Sequence, residues 1–258
     1  MKISILGSGS GGNSTFVESD GTKILIDAGF SCKKIEEKLC CINEKLCDID
    51  ALLITHEHTD HISGAGIISR KYNIPIYITR ESYHAGKAKI GDIGDENLKF
   101  IDNSFILNDN IQAIPFDVMH DAERTIGFRL TSQSGKTITI STDIGYVNNI
   151  VREAFRNTDV MVIESNYDYN MLMNCSYPFD LKARIKSRNG HLSNSSAAKF
   201  IAEMYTSNLK KVFLAHVSRD SNTYNMAKET ITDELIHNKI KLEFEVALQD
   251  KNTDIFRL

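Results

Sequence analysis

Four side chains able to bind a cation fall within six residues: His56, His58, Asp60 and His61, in the stretch Thr55-His56-Glu57-His58-Thr59-Asp60-His61. Neutral imidazoles and ionised carboxylates are ordinary ligands of zinc, manganese and iron. Crowding them together without a cation costs both repulsion and desolvation. Directly before them lies the short apolar run Ala51-Leu52-Leu53-Ile54, which reads as a buried strand. Successive strand residues face opposite ways, so a turn after the strand lets His56 and His58 converge while Asp60 and His61 swing to a second position. The pattern suggests two adjacent metals sharing one loop.

Other reactive residues stand at the ends of further apolar runs. Asp27 follows Lys23 to Ile26, His120 follows Ile111 to Met119, Glu164 follows Val160 to Ile163, and His216 follows Lys211 to Ala215. Asp143 follows a hairpin expected from Ile126 to Thr131 and Thr137 to Ser141. A carboxylate has two oxygens and can bridge two cations. Asp27 either caps a helix expected from Ser31 to Leu39 or orients a metal ligand. The loop Gly7 to Ser14, with Ser10 and Asn13, brings backbone N–H groups toward an anion or simply makes a tight turn; it lacks the Gly-Lys-Ser/Thr ending of a phosphate loop. Lys182, Arg184, Lys186 and Arg188 form a basic run before Gly190-His191-Leu192-Ser193, either a phosphate-holding surface or a solvated helix face. His84 reads as a surface residue on a helix, and His237, at a helix C-terminus, as a partner of the helix dipole rather than a ligand.

The elements that must position these groups alternate between strand and helix periods, which defines a mixed α/β class. One domain over residues 1–258 is expected, because no Pro/Gly-rich linker or repeat divides the chain. Ile62 to Tyr72 is expected as one helix, and Lys241 to Val246 together with Ile255 to Leu258 to close a sheet. With 41% hydrophobic and 25% charged residues the chain reads as soluble and globular. A net charge of −4 argues against a generic polyanion binder, so any nucleic-acid contact must be local or made through metals. Five cysteines without C-x-x-C spacing read as reduced thiols. No apolar run suits a signal peptide or a membrane span, and cytoplasmic residence without a membrane partner is the expectation.

His56-x-His58-x-Asp60-His61 resembles the signature of the metallo-β-lactamase superfamily. The resemblance implies an αββα sandwich of two mixed β-sheets flanked by helices. It places His56, His58 and His120 on one metal and Asp60, His61 and His216 on the other. Asp143 falls between them, Asp27 behind a ligand, and the Gly/Ser-rich loop at the site border. Two divalent ions per chain are implied, zinc or manganese, with iron also accepted by such ligands. Such a site can hydrolyse a lactam, a thioester or a phosphodiester. Gly190-His191-Leu192-Ser193 and Leu214 to Ser218 resemble stretches of the superfamily's nucleases, in which a histidine like His191 pairs with a glutamate like Glu164 to protonate the leaving oxygen. Asp143 and His216 are 216 − 143 = 73 residues apart, too few for the inserted domain of the β-CASP nucleases. What remains resembles the compact YycJ/WalJ branch, associated with 5′-to-3′ DNA exonuclease activity and DNA repair. DNA is then the expected substrate ahead of RNA. Asp60, Asp143, Glu164 and His191 are the expected catalytic residues, and Ser10, Asn13, Lys182, Arg184 and Arg188 the expected substrate contacts. The alternatives are an RNA-processing nuclease and a glyoxalase-II-like thioesterase or small-ester hydrolase.

Overall fold

A computed structural model describes residues 1–258. The first sheet contains β1 (Lys2–Gly7), β2 (Ser14–Ser19), β3 (Thr22–Ile26), β4 (Ala51–Leu53), β5 (Ile76–Ile78) and β6 (Leu98–Phe100), side by side in that order, with β14 (Phe256–Arg257) on the outer edge of β1. The second contains β7 (Phe105–Leu107), β8 (Ile111–Val118), β9 (Thr125–Ser132), β10 (Thr137–Ser141), β11 (Val160–Glu164), β12 (Lys211–Ala215) and β13 (Glu243–Val246), again in order. Both sheets are mixed on the same plan. Pairing is antiparallel up to β3 in one and β10 in the other, and parallel from there on.

Period-two alternation splits each central strand between two cores. Leu53, Ile140, Val162 and Phe213 face inward and join the two sheets. Their neighbours Leu52, Met161, Val212 and Leu214 face outward. Leu52 packs under α1 (Cys32–Cys40), α3 (Ala65–Tyr72) and α4 (Arg80–Ile90) through Ile35, Ile68 and Tyr83. The others pack under α5 (Asn149–Phe155), α8 (Asn194–Met204) and α9 (Tyr224–His237) through Phe155, Phe200 and Ile231. The result is the expected αββα sandwich. Strands covered on both faces read as continuous apolar runs, which is why β4, β11 and β12 are legible in the sequence. Ser31, Thr79, Ser193 and Thr223 each accept a backbone N–H at the start of α1, α4, α8 and α9.

Two expectations are corrected. Ile62 to Tyr72 is not one helix: α2 (Thr59–Ile62) ends at Ser63, and Gly64 N–H donates to the Ala28 carbonyl at 2.8 Å before α3 begins. Lys241 to Val246 and Ile255 to Leu258 do not close one sheet; β13 pairs with β12 in the second and β14 with β1 in the first. His84 is exposed, as expected, and His237 stands in the last turn of α9. All five cysteines are free. No helix is long and apolar enough to cross a membrane.

Gly29 locks the His/Asp loop onto the first sheet. A Cβ there would lie 1.7 Å from the Asp60 carbonyl oxygen and 2.6 Å from the Asn13 nitrogen. Gly29→Ala is therefore expected to destabilise the chain by about 1–3 kcal/mol in urea denaturation and to weaken divalent-cation binding at the same time. Unchanged stability and cation affinity would contradict this packing.

Candidate active site

The reactive groups stand where strands running in one direction end. β3 delivers Asp27, β4 delivers Thr55 and His56, β8 delivers His120, β10 delivers Asp143, β11 ends on Glu164, and β12 delivers His216. Open α/β sheets place their ligands at the carboxyl ends of strands for this reason. Three of these residues turn sharply inward with left-handed backbone: Asp27 at φ 62°, Asp143 at φ 56° and His216 at φ 53°. A histidine held there reflects a conformation imposed by its surroundings. Its backbone N–H donates to Ser8 Oγ at 2.9 Å, and its carbonyl accepts from Asn166 Nδ2 at 2.8 Å.

Hydrogen bonds on the outer side of each imidazole decide which nitrogen faces the centre. The His61 Nδ1–H donates to Asp27 Oδ2 at 2.8 Å, because a carboxylate only accepts. Thr55 Oγ1 donates to the same carboxylate at 2.9 Å and therefore accepts from the His56 Nδ1–H at 3.0 Å. His120 Nδ1–H donates to the Gly190 carbonyl at 3.0 Å, and His216 Nδ1–H to Glu164 Oε1 at 2.9 Å. Each ring thus turns its Nε2 inward. Outer-side partners of this kind are what orients metal-binding histidines.

The inward atoms form four overlapping groups, each within 4.8 Å of one another: two are the expected sets, His56, His58 and His120, and Asp60, His61 and His216, and two contain Asp143, one with His56 and His61 and the other with Glu164, His191 and His216. His58 Nδ1 lies 3.3 Å from His120 Nε2, close enough for one cation to be held by both. Asp143 lies between the sets, with His61 Nε2 3.1 Å from Oδ2 and His120 Nε2 3.7 Å from Oδ1. His56 Nε2 and Asp143 Oδ2 are buried without any hydrogen-bond partner. Orphaned, inward-aimed donors of this chemistry fit divalent cations. Burial, reinforced by His61, pushes the His56 pKa well below the ordinary histidine value, so it presents a neutral ring. Burial opposes charge on Asp143, but His216 and His61 outweigh it and hold the carboxyl well below the usual carboxylate range.

Glu164 and His191 form a second layer beside these sets. Fully buried Glu164 accepts from the backbone of Ile144 and Leu192 at 2.8 and 2.9 Å through Oε2, and holds His191 Nδ1 at 2.8 Å through Oε1. Burial opposes a charge on His191, but Glu164 outweighs it and raises its pKa. His191 lines a cleft of about 220 Å³ with Ser10, Asp121, Tyr177, Arg184 and His216. Ser10 and Arg184 therefore reach the expected place, Arg184 ion-paired with Asp121. Lys182 does not: its ammonium is engaged by the carbonyls of Met173 at 2.9 Å and Cys175 at 2.7 Å. Asn13 is buried, bonding Ser8, Gly9 and Asp60 within the loop, and is no open substrate contact. Arg188 lies over the Tyr146 ring, outside the cleft. Sequence reasoning missed Thr55 as a positioning group; its signal was a hydroxyl residue between the strand and the first histidine.

An αββα sandwich carrying a His/Asp cluster across the ends of its parallel strands defines a metal-dependent hydrolase of the metallo-β-lactamase fold. Residues 22–217 match the family described as beta-lactamase superfamily domain, and the chain belongs to that superfamily. It is 35% identical over 261 residues to exodeoxyribonuclease WalJ of Streptococcus pneumoniae, covering 98% of this chain and 95% of that protein. It is also 35% identical over 240 residues to exodeoxyribonuclease YycJ of Bacillus anthracis, covering 91% and 89%. Among solved structures, the metallo-β-lactamase fold protein YhfI of Bacillus subtilis superposes with a TM-score of 0.73 at 15% identity over 98% of both chains, a likeness of fold.

Asp27 would act on a bound cation through His61, and through Thr55 on His56. Asp27→Asn is expected to weaken manganese binding roughly 10- to 100-fold in calorimetric titration while leaving the fold intact. An unchanged affinity would sink the orienting role.

Proposed function

We propose that the protein is an exonuclease that uses two divalent metal ions to hydrolyse phosphodiester bonds in DNA, releasing nucleotides from the 5′ end, with a role in DNA repair. His56, His58 and His120 would hold one ion and Asp60, His61 and His216 the other, with Asp143 within reach of both groups. Zinc and manganese both suit this mixed imidazole and carboxylate set. When bound, such ions supply Lewis-acid stabilisation of phosphoryl charge and acidify the attacking water.

The observation that carries the reading is the Glu164–His191 pair at the cleft edge. Glu164 accepts a hydrogen bond from the His191 Nδ1–H, so the proton on Nε2 of the charged ring is the one available to the cleft. Cleavage between phosphorus and a 3′ oxygen expels an alkoxide, a poor leaving group that needs this proton; a thiolate would not. Glu164 stays ionised throughout, balanced by His191 and anchored by the Ile144 and Leu192 N–H groups. Arg184, tethered by Asp121, and Ser10 line the same cleft and meet the phosphate oxygens. The nucleic-acid substrate is further supported by the exodeoxyribonuclease names of two relatives matched over nearly the whole chain.

Protein stripped and reloaded with manganese or zinc is expected to release 5′-terminal mononucleotides from end-labelled DNA; absence of cleavage of both DNA and RNA would redirect the assignment to a thioester or small ester. His191→Ala is expected to lower kcat on DNA roughly 10²- to 10⁴-fold with metal content unchanged. The loss should shrink on the p-nitrophenyl ester of thymidine 5′-phosphate, whose leaving group needs no proton. An equal loss on both substrates would argue against proton donation.

A further inference from the structure

Two exposed tyrosines carry cations over their rings on the turn that leads into His191. The Arg188 guanidinium lies 4.8 Å from the Tyr146 ring centroid and the Lys186 ammonium 5.6 Å from that of Tyr169. Tyr146 is 41% and Tyr169 55% exposed, so neither ring serves the core. The first pair is tied to the active site from both sides: Tyr146 follows Asp143 by three residues, and Arg188 precedes His191 by three. The two segments pack backbone to backbone, since a Cβ at Gly145 would lie 2.2 Å from the Arg188 carbonyl oxygen. Gly190 and His191 line the catalytic cleft, while Gly145, Tyr146 and Leu192 line a second hollow of about 240 Å³ with Ser196 and Lys199. The two hollows meet at the His191 segment.

Each cation lies over one face of its ring, so the remaining exposed ring surface can meet a base while the cation pairs with the adjoining phosphate. Stacking of this kind requires an unpaired base, because a duplex hides base faces. In a chain of net charge −4, Lys182, Arg184, Lys186 and Arg188 make a local concentration of positive charge beside these rings. We propose that Tyr146 with Arg188 and Tyr169 with Lys186 form a stacking platform for single-stranded nucleic acid beside the scissile phosphate. The platform deepens the nuclease reading and rests on it for the identity of the reacting bond.

The test is fluorescence-anisotropy titration of the metal-loaded protein with a 5′-fluorescein phosphorothioate oligothymidylate and, separately, with a hairpin duplex. Tyr146→Ala and Tyr169→Ala are each expected to weaken single-strand binding roughly fivefold to a hundredfold. Tyr146→Phe and Tyr169→Phe should retain it, and duplex affinity should change little. Alanine variants that bind the single strand as tightly as the native chain, or phenylalanine variants as weak as the alanine ones, overturn the platform. Cleavage of the unmodified oligonucleotide is scored independently. Tyrosine-dependent binding without cleavage upholds the platform and fells the hydrolase reading, and cleavage with tyrosine-independent binding does the reverse.

Discussion

Imidazole lone pairs converge at one place only because the opposite nitrogen of each ring is held. Asp27, Thr55, the Gly190 carbonyl and Glu164 accept the Nδ1 protons of His61, His56, His120 and His216, and this fixes four tautomers at once. The centre so made crowds ionisable groups together out of water. Six histidines and three carboxylates contribute to its overlapping sets, and burial removes the water that would otherwise screen them. Folding of this loop cluster and divalent-cation binding are therefore coupled, each favouring the other.

The sheets explain how so many groups reach one point. In each, the strand where antiparallel pairing gives way to parallel pairing ends on an aspartate with left-handed backbone: Asp27 after β3 and Asp143 after β10. At these places the hairpin-linked half of each sheet gives way to the half whose strands are joined through helices. The two aspartates stand at corresponding places but do different work. Asp143 lies between the two ligand sets, whereas Asp27 is displaced behind His61 and acts through it. A shared plan thus yields one group for the centre and one for its support.

Most of this was legible in the sequence wherever a side chain acts through its own type and place. Histidines and carboxylates at the ends of apolar runs marked the centre, because buried strands print unbroken apolar stretches and chemistry follows them. Roles that depend on distant neighbours were not legible. Lys182 sits in a basic run yet bonds two carbonyls from the preceding helix end, and Asn13 sits in an anion-like loop yet faces inward. The short α5 and α6 (Tyr169–Asn174) are too brief to show a helical period, and Tyr146 shows its relation to Arg188 only once Gly145 lets two segments touch.

The most direct test of this account is anomalous diffraction from crystals of the manganese-loaded protein. The account requires two peaks, one enclosed by His56, His58 and His120 and the other by Asp60, His61 and His216, with Asp143 touching both. A single peak, or ions bound away from these side chains, would contradict it.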